Sequence, residues 1–77
     1  MKHVREILNE IKWRNEFKLE DVNLYYADRK LDSLMQLPGS MIKSWDKSFI
    51  YTVQGSAIPF HRIKKVEVKG VVVYDRV

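Results

Sequence analysis

The chain has no cysteine, and among its 77 residues it has only two histidines, two prolines and three glycines. Without cysteine there is no disulfide and no thiolate metal site, so nothing covalent staples so short a domain. Domains of this size bury only about 60% of the surface that their unfolded chains expose, so side-chain packing must supply the stability. His3 and His61 share no HxH or HxxxH spacing, and a catalytic metal site normally wants several such ligands, so no metal is expected. Two histidines also fall short of the paired HxT/S motifs of many cyclic phosphodiesterases. Gly39, Gly55 and Gly70 stand singly, which excludes a Gly-rich phosphate cradle, and no nucleophile elbow is present. No apolar run approaches the ~20 residues of a spanning helix, and the first residues lead into an amphipathic pattern instead of a signal sequence. The expectation is one soluble, cytoplasmic domain over residues 1–77 without a cofactor.

What is present is a 45% hydrophobic fraction that includes two Trp, three Phe and four Tyr, enough large rings for a compact core. Net charge is +4, a bias toward polyanions that many unrelated small proteins share. Nine of the fourteen Lys and Arg lie after residue 28, whereas the first twenty-one residues are close to balanced. The surface built by the C-terminal strands is therefore expected to be the positive one. Solvated lysines on exposed strand faces are the plainer explanation for each single Lys.

Val4, Ile7, Leu8 and Ile11 fall at i, i+3, i+4 and i+7, the stripe of an amphipathic helix over roughly residues 2–14. Glu10 precedes Arg14 in the favourable order for a helical pair, and Asn15 is a reasonable stop. Residues 22–27 alternate as a strand that runs into Asp28-Arg29. Lys30 to Ser33 reads as a loop, 34–37 as a short strand or helical turn, and Pro38-Gly39-Ser40 as a break. Residues 41–45 are ambiguous and Asp46-Lys47-Ser48 reads as a turn. Residues 49–53 form a strong strand, and Gln54-Gly55-Ser56 turns the chain. Lys69-Gly70 between two Val-rich runs predicts a tight hairpin with Gly at positive φ. The fold expected is α+β: an N-terminal helix packed on a strongly curved antiparallel sheet, or a partly open barrel, of about five short strands. An Sm-like barrel fits that order of elements without being required by it.

The richest stretch is Ile58-Pro59-Phe60-His61-Arg62-Ile63, which sets an imidazole beside a guanidinium in an apolar run. Guanidinium binds phosphate through a planar donor fork, and imidazole donates, accepts or exchanges a proton near neutral pH. An unpaired buried Arg is costly, so the pair either reaches an anionic ligand or is satisfied internally. The internal alternative pairs Arg62 with Asp28 or Asp75 and His61 with a backbone carbonyl. Ile63 is out of phase with Val66 and Val68, which predicts a bulge or bend between His61 and Lys65, and Pro59 suggests an edge strand. Asp28-Arg29 and Asp75-Arg76 each close an apolar strand with the same acid–base pair. Local charge balance explains either dipeptide alone. Three arginines and a histidine at three strand ends would form a phosphate-sized cluster if those ends meet.

Ile11-Lys12-Trp13, Tyr26-Ala27-Asp28-Arg29, Leu37-Pro38-Gly39-Ser40-Met41-Ile42, the hexapeptide at 58–63 and Val72-Val73-Tyr74-Asp75-Arg76 occur in this order. The series resembles the small, mainly archaeal RNA cyclic-group end-recognition domain family, across essentially the whole chain. Its most specific part is the hexapeptide followed by the aromatic-Asp-Arg ending. The resemblance implies a module that binds RNA 3′ ends, especially 2′,3′-cyclic phosphates, in RNA repair or processing. Relatives fused to RNA-end-processing enzymes suggest such enzymes as partners. It points to His61, Arg62, Asp28, Arg29 and Arg76, with Trp13 and the Pro38 turn as pattern positions of either structural or functional origin. Arg14 stands where an acidic residue is expected, and Tyr74 replaces the commoner Trp.

On this reading Arg29, Arg62 and Arg76 bind phosphate oxygens and His61 bonds the phosphate or a ribose oxygen. Asp28 orients Arg29, and Lys64 and Lys65 add sequence-independent attraction. Tyr25, Tyr26 or Tyr74 would stack a base where exposed. The alternatives are a small phosphodiesterase or cyclase using His61 as general acid/base, which lacks an evident second catalytic group, and a protein-interaction adaptor, which needs an exposed apolar patch.

Overall fold

The computed structural model describes residues 3–14, 18–28 and 33–76. Helix α1 (Val4–Trp13) buries Val4, Ile7, Leu8 and Ile11, the four positions of the predicted stripe. His3 caps it: its Nδ1 accepts the Arg5 N–H at 3.2 Å. Arg14, in extended conformation, ends it. Asn15 lies outside the described residues.

Seven strands follow: β1 (Val22–Asp28), β2 (Ser33–Pro38), β3 (Ile42–Trp45), β4 (Phe49–Thr52), β5 (Ala57–Pro59), β6 (Ile63–Val68) and β7 (Val71–Asp75). They form two antiparallel sheets, a four-stranded one in the order β2-β1-β6-β7 and a three-stranded one in the order β3-β4-β5. Neither closes. The expected barrel or single curved sheet of about five strands is thereby corrected. The physical reason is two corners. Three-residue 3₁₀ turns lie at Gly39–Met41, where the sequence shows a break, and at Phe60–Arg62, inside what it presents as one run, and the strands on either side of each join different sheets. The α+β class holds.

Both corners start from a proline, Pro38 or Pro59, at φ −62° and extended ψ, and both end on an isoleucine, Ile42 or Ile63. Proline's fixed φ and missing N–H suit the entry to a helical turn. At the Pro38 corner, Gly39 lies against the carbonyls of Leu19 and Val22, where a Cβ would collide with backbone. Pro59 sits on β5, an edge strand, as expected of a residue that cannot donate to a ladder.

One core runs through the protein. Leu8, Leu24, Ile50, Ile63, Val4, Val22 and Val66 are its most buried side chains, so helix and both sheets contribute. The β6–β7 turn has Lys69 at φ 51° and Gly70 at φ 81°, the two positive values that a two-residue hairpin matched to strand twist requires. Among the described residues no helix is long and apolar enough to cross a membrane.

Candidate functional site

The register brings the predicted strand ends together. β1 runs antiparallel to β6 with Tyr26 opposite Ile63, so its Asp28 end lies beside the start of β6. β7 flanks β6 on the other side with Asp75 opposite Lys65, and the Arg76 N–H donates to the Lys64 carbonyl at 2.6 Å. The Pro59 corner, with His61 and Arg62, leads directly into this end of β6. Asp28, His61, Arg62, Lys64 and Arg76 therefore share one end of the four-stranded sheet. Arg29 follows Asp28 in the chain but lies outside the described residues.

Hydrophobic phase explains how the cluster is aimed. Between Tyr25–Lys65 and Tyr26–Ile63 the β6 strand holds one extra residue, Lys64. That bulge lets Ile63 and Val66 both face the core, and it is the break expected from the sequence. His61 is exposed and Arg62 half-buried. Among the described residues neither side chain forms a hydrogen bond or an ion pair, so the internal alternative, with Arg62 paired to Asp28 or Asp75 and His61 bonded to a carbonyl, is not observed.

Two residues occupy roles other than those expected. Tyr74 is 6% exposed within the core, which withdraws its ring from stacking. Its hydroxyl instead meets Nη1 of Arg76 in a long contact of 3.5 Å, steadying that guanidinium. Lys65 is held by Glu67 at 3.2 Å and lies 5.3 Å from the Tyr25 ring centroid, so it is partly neutralised. Tyr26 packs against the core, and Tyr25 is half-buried. Trp13 is 82% exposed, so its place in the sequence pattern has no packing explanation.

A feature the sequence reading missed is the likeness of the two corners. Leu37-Pro38-Gly39-Ser40-Met41-Ile42 and Ile58-Pro59-Phe60-His61-Arg62-Ile63 share the aliphatic-Pro-x-x-x-Ile pattern and the same backbone. Their burial also agrees: Gly39 and Phe60 are buried, Ser40 and His61 exposed, Met41 and Arg62 half-buried. A corner of this geometry thus needs neither an imidazole nor a guanidinium.

A second positive region was also missed. A groove of about 750 Å³ runs between α1 and the β3–β4 hairpin, with Arg5, Lys12, Arg14 and Lys18 on one side and Lys43 and Lys47 on the other. Four of these six cations come from the near-neutral N-terminal segment, so the positive surface is not confined to the C-terminal strands. Helical spacing could have shown Arg5, Asn9 and Lys12 on one face, but not which hairpin lies opposite.

Asp46 lies at the hairpin turn. Its Oδ1 accepts the N–H groups of Ser48 at 2.7 Å and Phe49 at 2.8 Å, and its Oδ2 accepts the Tyr51 hydroxyl at 2.6 Å. The Tyr51 bond, followed by the two backbone donors, holds its carboxyl below the usual carboxylate range. The same bond pushes the Tyr51 hydroxyl up. Among the described residues no group of three or more His, Asp or Glu is arranged to hold a metal ion.

Comparison with known proteins agrees with the motif series. Residues 1–76 match the family model described as the MJ1316 RNA cyclic group end recognition domain. A UPF0248 protein of Metallosphaera sedula is 30% identical over 73 residues, covering 95% of this chain and 91% of the relative. A UPF0248 protein of Archaeoglobus fulgidus is 33% identical over 69 residues, covering 90% and 99%. No solved structure matches the chain.

Proposed function

The chain belongs to the MJ1316 RNA cyclic group end recognition domain family, and on that premise we propose that it binds the 3′ end of RNA through a terminal phosphate, cyclic or linear, at the Pro59 corner. The observation that carries this reading is the contrast between the corners. The fold makes the same turn with Ser40-Met41, so His61-Arg62 is surplus to the turn and stands at a junction of three strand ends. Arg62 and Arg76 supply forked donors to phosphate oxygens, and the exposed His61 bonds a phosphate or ribose oxygen. Tyr74 steadies Arg76, Asp28 borders the cluster, and Lys64 adds charge next to it.

Binding, not chemistry, is the role proposed, because among the described residues no acid or base is hydrogen-bonded to His61 to form a proton relay. Titration with short RNAs that differ only in a 2′,3′-cyclic phosphate, a linear phosphate or a hydroxyl end tests the reading. Tighter binding of the phosphorylated ends is expected, and equal affinity for all three would defeat it. Hydrolysis of a 2′,3′-cyclic nucleotide that His61→Gln abolishes would replace it with catalysis.

A further inference from the structure

We infer that the groove between α1 and the β3–β4 hairpin holds the sugar–phosphate backbone of the nucleotides that precede the bound 3′ end, an inference that rests on the reading of the Pro59 corner as the end site. The groove and the corner are contiguous. The Phe60 N–H, one residue before His61, donates to the carbonyl of Ser48 at 3.0 Å, and Ser48 follows Lys47 of the groove. On the opposite side the Phe60 ring lies 5.9 Å from the ring of His3, whose Nδ1 bonds the backbone of Arg5, another groove residue. Through these two contacts the corner abuts both walls of the groove, the helix start and the hairpin turn.

From there the cations continue along the helix. Arg5 and Lys12 are seven residues apart, about 10 Å along the axis, and Arg14 and Lys18, past the helix end, also line the groove. On the facing wall Lys43 is the extra residue of a bulge in β3, a device that re-aims a side chain. Among the described lining residues the single acid is Asp46, whose two oxygens are held by three donors of its own hairpin. Trp13, between Lys12 and Arg14 in the chain, offers an exposed ring to a base. A cationic groove, with an exposed aromatic between two of its lining residues in the chain, suits following a single strand without reading its sequence. An acidic peptide would share the charge but not the entry from a phosphate-end site.

The test compares a uridine decamer and a uridine dinucleotide, both ending in 2′,3′-cyclic phosphate, on the full chain and on Lys12→Gln/Lys43→Gln. Both lysines are exposed, so the substitutions leave the core intact. The decamer is expected to bind the native chain more tightly than the dinucleotide. The double variant should bind the decamer about tenfold more weakly at low salt, and the negative slope of log affinity against log salt should become shallower by about 1.4, or 0.7 for each lost contact. Dinucleotide affinity and the preference among 3′ ends should not change.

Native decamer affinity and salt slope in the double variant would overturn the inference, as would equal binding of decamer and dinucleotide by the native chain. So would a deca-glutamate peptide that competes as well as the decamer. If the native chain shows no preference among 3′ ends while decamer binding still depends on Lys12 and Lys43, the end-site reading falls and the groove assignment stands.

Discussion

The Pro38 and Pro59 corners are built alike and used differently. Each carries the chain from one sheet to the other through a proline, a 3₁₀ turn and a buried isoleucine. At the Pro38 corner the buried third position must be small, because Gly39 lies against the backbone of residues 19 and 22. At the Pro59 corner the same position is Phe60, a core ring that also bonds the β3–β4 turn through its backbone. Ser40 and Met41 are what the turn tolerates, whereas His61 and Arg62 are chemistry placed upon it. Residue types that a turn of this geometry does not require call for a reason beyond folding. The ends of β1 and β7 beside only one of the corners supply a setting for it.

Exchanges at the third position should break the comparison most severely. Gly39→Ala forces a Cβ into two backbone carbonyls, and we expect a loss of about 3 kcal/mol or more. Phe60→Ala opens a core cavity and should cost about 3–5 kcal/mol. Urea unfolding reads both, and a Gly39→Ala chain with the native midpoint would show that the tight approach does not constrain the fold.

The next exchange separates folding from binding. His61→Ser with Arg62→Met copies the Pro38 corner onto the Pro59 corner, and methionine keeps an aliphatic stem where that of Arg62 lies. Stability should stay within about 0.5 kcal/mol. Affinity for phosphorylated RNA ends should fall at least tenfold, since hydrogen bonds to charged groups contribute about 1.5–3 kcal/mol each. An unchanged RNA titration would leave the two corners functionally equivalent.

Arg62→Lys is a milder change. It keeps the charge but loses the fork, so preference for phosphate ends should decline several-fold while binding of hydroxyl-ended RNA holds. A parallel loss for both kinds of end would reduce Arg62 to a general cation.

The smallest effect concerns the hairpin that meets the Pro59 corner. Tyr51→Phe removes the main cause of the lowered Asp46 carboxyl, so its titration, followed by NMR, should move up toward ordinary values. A depressed carboxylate stabilises the fold above its unfolded pKa and loses that contribution as pH falls through the folded value. In the variant, then, the Asp46 contribution is smaller, and its loss, which begins near the same unfolded-state pKa, is complete at a higher pH. An unmoved titration would assign the shift to the Ser48 and Phe49 N–H groups.

Much of the fold was legible wherever the signal was local. The helix stripe was visible because a 3.6-residue period repeats within ten residues, and the 69–70 hairpin because Gly sits where positive φ is needed. The bulge at Lys64 was announced by Ile63 falling out of phase. Residues 41–45 stayed ambiguous because a four-residue strand that begins inside a corner shows no alternation of its own. Whether Tyr74 would be exposed for stacking could not be read locally, because its burial depends on Val66 across the ladder, not on its neighbours in the chain.

By itself the sequence determined the α+β class, the helix and its buried face, the family, and the residue types offered at the candidate site. Each of these follows from periods, turns or motifs confined to short stretches of chain. Only the tertiary structure decided that seven strands divide into two sheets and that the ends of β1 and β7 flank the start of β6. It alone set four N-terminal cations opposite Lys43 and Lys47. Those are questions of register and of which surfaces meet, and they are settled by packing between residues distant in sequence, which no local pattern encodes.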